Sequence, residues 1–255
     1  MRQQNAPVAV SGFIGGDVGR PELWCPSPGL WRPKHRELFA PTIVQHNGTT
    51  LTAGQNPTDL ALNSPTSNGN LIVVIVAAST TGNLVNSISD AAANVYAKAI
   101  HTLPDGSFDI WYAKNTAAHA VNDVITIHFN QSDGGGEAWA QEIKGCDTDR
   151  PLGPTASGAA GSGTALTCTA VTLTSAPAIG IAAFISGNGS SVTGTGGWAN
   201  LDPIGGSDEA LSQIFTTTGS KQATATQGSS ANWDGVSAYF YAPRGVRAKL
   251  LPLGI

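Results

Sequence analysis

Glu137 and Glu142 come nearest to a catalytic pair in this chain of 255 residues. Glycosidic hydrolysis needs two carboxyl groups roughly 5–10 Å apart, one protonating the leaving oxygen and one attacking or activating water. These two are five residues apart, so on a regular strand they face opposite sides of the sheet. The spacing argues against the pair and leaves Glu142 as a residue that caps or orders a loop. His35, His46, His101, His119 and His128 are scattered, without the spacing of a metal site. Cys25, Cys146 and Cys168 are odd in number and isolated, so three separate thiols are expected rather than a disulfide framework. Asp90, Asn94, Asp105, Asp147, Asp149, Asp202, Asp208 and Glu209 fall in expected loops, where turns onto their own backbone outweigh calcium ligation. Gly194-Thr-Gly196-Gly-Trp-Ala199 matches a dinucleotide fingerprint only in letters. It lacks the following helix whose amides would hold a pyrophosphate, and a β-turn before Trp198 is the better reading. The chain carries no nucleophile elbow, zinc-protease motif or phosphate loop. The expectation is a non-enzyme with no cofactor and no metal.

Aromatic and basic residues point instead to contact. Residues 1–45 hold six prolines, and two tryptophans, Trp24 and Trp31, within PELWCPSPGLWRP. Proline breaks both helix and strand, while aromatic anchors in an extended segment suit docking. The charge is divided: residues 1–45 carry +2, residues 244–255 carry +3 and the middle carries −9. Basic ends on an acidic body suggest ends that meet an acidic partner. The expected docking residues are Arg20, Leu23, Trp24, Leu30, Trp31, Arg32, Lys34, Arg36 and Phe39 at one end, with Arg244, Arg247 and Lys249 at the other. A sugar- or receptor-binding platform is the alternative, with Trp198 and Trp233 beside glycine-rich turns as its candidates; Trp111 is expected in the core.

The elements that would carry these residues are strands. From residue 46 short β-like runs alternate with turn signals, the pattern of a sandwich or barrel. Leu71–Ala78 is apolar on both faces and reads as a central strand. Phe108–Tyr112, Ile125–Phe129 and Val236–Tyr241 alternate with period two. No amphipathic helix of three turns is visible, although Pro57-Thr58-Asp59-Leu60 could open one helical turn, and 153–163 reads as a loop. No repeated motif is apparent. The expectation is an all-β, antiparallel sandwich, jelly-roll-like, of about ten to twelve strands over 46–243, with an extended arm (1–45) and a short basic, apolar tail (244–255).

Residues 66–243 resemble a β-sandwich family found in bacteriophage virion proteins and bacterial surface proteins. The resemblance rests on Gly69-Asn70 leading into LIVVIVAA and on Ile88-Ser-Asp90-Ala-Ala-Ala-Asn94-Val-Tyr96. It continues in Ile110-Trp111-Tyr112-Ala113-Lys114-Asn115, Val124–Phe129, Glu142-Ile143-Lys144-Gly145 and Ser237–Tyr241. Where the family has Gly before the Asn of the Asp-to-Asn turn, this chain has Ala93. The resemblance implies the fold; together with the two terminal segments and the lack of catalytic motifs it leads to the expectation of a structural protein of a phage particle, as a capsid-decoration, head-fibre or tail-associated subunit. Its partners would be other virion proteins, and closed symmetry makes a trimer the first expectation. No apolar leader segment or bilayer-spanning run is present, so a chain assembled in the host cytoplasm into a virion is expected, touching neither membrane nor nucleic acid.

Overall fold

The computed structural model describes residues 39–78, 85–102, 107–121, 123–131, 135–156, 160–201, 204 and 207–244. They form an all-β protein of antiparallel sheets, without a helix or closed barrel among them.

The first main sheet has the order β1 (Thr42–Leu51), β8 (Gly136–Lys144), β3 (Leu71–Ala78), β6 (Ser107–Ala113), β5 (Tyr96–Thr102). The second runs β10 (Ala160–Thr167), β17 (Thr224–Tyr241), β12 (Ala178–Ser186), β15 (Asp208–Phe215), β14 (Ala199–Asn200), with β9 (Leu152–Ala156) also on β17. A small sheet, β2 (Thr58–Ala61), β7 (Val124–Phe129), β4 (Val85–Asp90), covers the first. The second is covered by β13 (Val192–Gly194), the first residues of β17, and the pair β11 (Val171–Leu173) and β16 (Gly219–Lys221).

Three apolar layers result. The two main sheets face each other through Val73, Ile75, Ile110 and Trp139 on one side and Ile181, Ala183, Val236 and Phe240 on the other. Ile72, Val74 and Val76 point outward against Leu60, Ile125 and Ile127. Ala182, Phe184 and Tyr239 point the opposite way, against Leu166, Trp198 and Ala225. Each central strand is thus buried on both faces, which is why β3 is continuously apolar instead of alternating.

The strand order is the same in both halves, so the fold is one sandwich made twice. β8, β3, β6 and β5 correspond to β17, β12, β15 and β14. The covering order β2-β7-β4 recurs as the end of β10 on the start of β17 on β13: Ala165 pairs Thr226, and Thr226 pairs Thr193. In the second half the strands that correspond to β7 and β8 are fused into the 18-residue β17. Those corresponding to β1 and β2 are fused into β10, preceded by β9. A register break between Gly163 and Ala165 marks the passage from one layer to the other. The likeness lies in the strand order and not in the side chains, so no repeated motif is visible in the sequence.

Other expectations change in detail. Thr58–Ala61 is strand β2, not a helical turn. The stretch expected as a loop over 153–163 contains most of β9 and the start of β10. Its small residues serve close packing: a Cβ on Gly161 would sit 2.6 Å from the Trp233 ring. The described residues form seventeen strands, above the expected number because several have only two or three residues. The first begins at Thr42, within the segment read as arm.

Candidate functional site

Both ends of the described body meet at one turn. Thr42 opens β1 opposite Lys144, and Gly145 lies against Ala40 and Pro41. Two residues on, the Asp147 amide donates to the Tyr241 carbonyl at 2.8 Å, and the Tyr241 amide donates to the Pro151 carbonyl at 2.7 Å. The chain therefore enters and leaves the body at the same pole. Beside the entering segment is a groove of about 600 Å³ lined by Phe39, Ala40, Thr42, Lys144 and Gly145. Phe39 is 74 % exposed.

Asp147 organises the turn. Its Oδ1 accepts from the amides of Asp149 and Arg150 at 2.8 and 2.9 Å. The Arg150 amide is the largest influence holding this carboxyl below its usual range; burial opposes it, and the amides of Asp149 and Arg244 with the Arg244 charge reinforce it. Arg244 also lies over the Tyr241 ring at 5.7 Å. Of the expected docking residues, Phe39 and Arg244 are thus placed at this pole. Arg20, Leu23, Trp24, Leu30, Trp31, Arg32, Lys34, Arg36, Arg247 and Lys249 lie outside the described residues.

Two buried acids stiffen the body near the pole. Glu142 is fully buried. Its carboxylate accepts from Gln45 Nε2 at 2.7 Å, the Ser67 amide at 2.8 Å and Asn70 Nδ2 at 2.6 Å. It orders the loop before β3, as expected. Glu137 pairs Ala77 while Glu142 pairs Ile72, and those two positions face different apolar layers. The carboxylates do not converge. The second acid is Asp90, which accepts from the Asn94 amide at 3.0 Å and from Tyr96 Oη at 2.8 Å. His119 Nε2 is 2.9 Å away and donates, since a carboxylate can only accept. The Asp-to-Asn motif announced this turn; His119 came from an unrelated part of the sequence and is delivered by the backbone pairing of Thr66 with His119.

A corresponding buried acid faces the cover of each sandwich. Asp109 on β6 contacts the Val85 amide at 3.0 Å, Lys98 Nζ at 2.9 Å and His101 Nδ1 at 3.1 Å. Glu209 on β15 holds Asn200 Nδ2 at 2.7 Å and the Leu201 amide at 3.1 Å.

The tryptophan platform is corrected. Trp198 and Trp233 are 4 % and 6 % exposed and belong to the second sandwich's core, packed edge-on against Phe215, Tyr239 and Phe184. Their ring area is worth more in the core than a turn location suggests. Gly196 and Gly197 do form the turn before Trp198. Trp111 is buried, as expected, beneath Lys98. Cys146 and Cys168 are free, buried thiols, pushed up to about 12 chiefly by burial. Among the described residues no group of three or more His, Cys, Asp or Glu is placed to hold a metal, and no helix is long and apolar enough to cross a membrane.

Comparison with protein-family models, curated proteins and solved structures returns no match.

Proposed function

We propose that the chain is a structural subunit of a bacteriophage particle, anchored through the segments at its two ends, with a capsid-decoration or head-fibre position favoured over a tail one. The observation that carries this reading is that the described body begins and ends at one pole, beside an exposed Phe39 and the Lys144 groove. A double sandwich with three apolar layers makes a rigid body, and two segments leaving from one place give it a single attachment face. The apolar residues Leu23, Trp24, Leu30, Trp31 and Phe39 would be buried against a neighbouring subunit. Arg20, Arg32, Lys34, Arg36, Arg244, Arg247 and Lys249 would meet its acidic groups. Extended arms bury large areas and lose conformational freedom in doing so, which suits permanent assembly. The family resemblance of residues 66–243 points the same way, and a trimer is the expected closed form.

Light scattering and co-sedimentation with assembled capsids test it. The full chain is compared with a variant carrying Leu23→Ser, Trp24→Ser, Leu30→Ser and Trp31→Ser. The full chain should form a discrete oligomer and sediment with capsids, and the variant should do neither. Identical monomers, or equal sedimentation of both proteins, would sink the reading.

A further inference from the structure

We propose that the pocket between the β4–β5 turn and the end of β6 binds a carboxylated sugar, an activity separate from anchorage. The pocket holds about 370 Å³ and is lined by Ala92, Val95, Ala97, Tyr112, Lys114 and Asn115, among others. That volume is at the lower end of small-ligand sites.

The backbone singles this place out. Among the described residues, two non-glycine residues have left-handed backbone, Ala93 (φ 55°) and Asn115 (φ 49°), and both line this pocket. Such strain persists only where the surroundings enforce it, and it gathers at ligand sites. At Ala93 the hydrogen bonds of Asp90 with the Ala93 and Asn94 amides hold the turn in this form. Asn94 clamps both walls, its Oδ1 accepting from the Ala117 amide at 2.7 Å while its own amide donates to Asp90. The pocket is thus formed in advance.

Its lining has a definite chemistry. Val95 is 84 % exposed at the rim, an apolar side chain left in water. The Tyr112 ring is half-buried and held against Phe240 at a centroid distance of 5.7 Å, so its position is fixed. Lys114 Nζ is 3.7 Å from the Asp149 carboxylate, with the two side chains 47 % and 82 % exposed. Lys114 Nζ also donates to the Asp149 backbone carbonyl at 2.5 Å, which holds the ammonium at the pocket. The exposed ion pair itself contributes little, so a ligand carboxylate can replace the Asp149 carboxylate while that bond stays. Tyr112 and Val95 suit the C–H face of a sugar ring, the Asn115 amide suits its hydroxyls, and Lys114 suits an acidic group.

The test is amide chemical-shift mapping on the full chain with glucuronic acid, N-acetylneuraminic acid and, as neutral control, glucose. At least one acidic sugar should shift amides within 92–97 and 112–117, and glucose should shift them far less. Lys114→Met should weaken the acidic sugar about tenfold, and Val95→Trp should block it. Both variants alter exposed side chains, so unchanged melting shows that the fold is intact. No shift up to about 50 mM, shifts elsewhere, equal response to glucose, or unchanged affinity in Lys114→Met overturns the proposal. Particle association of the Lys114→Met protein should equal that of the native chain, which keeps this result distinct from the test of the arms.

Discussion

Asp90 shows how a single buried acid sets a condition on the fold. Burial pushes its carboxyl up, but the Asn94 amide, the Tyr96 hydroxyl, the Asn94 side chain and nearby His119 together hold it below the usual range. A depressed value stabilises the protein above the unfolded pKa of about 3.9, and that stability is lost as pH falls through the folded value. Urea unfolding across a pH series should show this acid-side loss, and Asp90→Asn should flatten it while lowering stability at neutral pH. Tyr96 gives the opposite limb. Burial, then the Asp90 charge, raises its hydroxyl. Its contribution is complete below an unfolded pKa of about 10 and is lost as pH rises beyond that; Tyr96→Phe should reduce the alkaline loss, the buried Cys146 and Cys168 thiols supplying the remainder. Ala93 occupies a left-handed position that favours glycine. Ala93→Gly should stabilise by about 0.5–1 kcal/mol, the relieved strain exceeding the added freedom of the unfolded chain. A higher urea midpoint checks this.

At the level of elements, the sequence was legible where one chemical pattern had one structural cause. Leu71–Ala78 is uniformly apolar because it is covered on both sides, and Ile125–Phe129 alternates because β7 has one dry face. Legibility failed where small residues were chosen for a neighbour's bulk. Residues 153–163 looked like a loop because Gly and Ala carry no pattern, yet Gly161 is small for the sake of Trp233. Gly235 is a second case: in β17, its Cβ would sit 2.3 Å from the Phe184 ring. Gly235→Ala should cost about 1–3 kcal/mol in urea unfolding through forced displacement of that ring. The candidate sites divide in the same way. The turn from Asp90 to Tyr96 could be read from spacing, while the positions of His119, Lys144 and Lys114 depend on strand pairings between distant segments. Trp198 and Trp233 were misread because a turn location says where the backbone runs, not where an indole packs.

The whole molecule depends on its middle layer. Ile179, Ile181, Val236, Ala238 and Phe240 are buried only because the first sheet covers them with Val73, Ile75, Ile110 and Trp139. A chain limited to residues 152–244 would present that face to water, a large apolar patch. It should self-associate or fail to fold cooperatively, whereas residues 39–244 should unfold in one step. Sedimentation and calorimetry of both decide it. The position of the two ends also fixes how the molecule bears load. β1 runs away from the pole from Thr42 while β17 runs toward it and ends at Tyr241. Tension applied where the body begins and ends would therefore act along both strand axes. It shears β1 against β8, and β17 against β12, so many backbone bonds must yield together instead of opening one by one. A drag force on the far end is carried by whole ladders, and the body can stay folded under a pull that would unzip a sheet gripped from its edge.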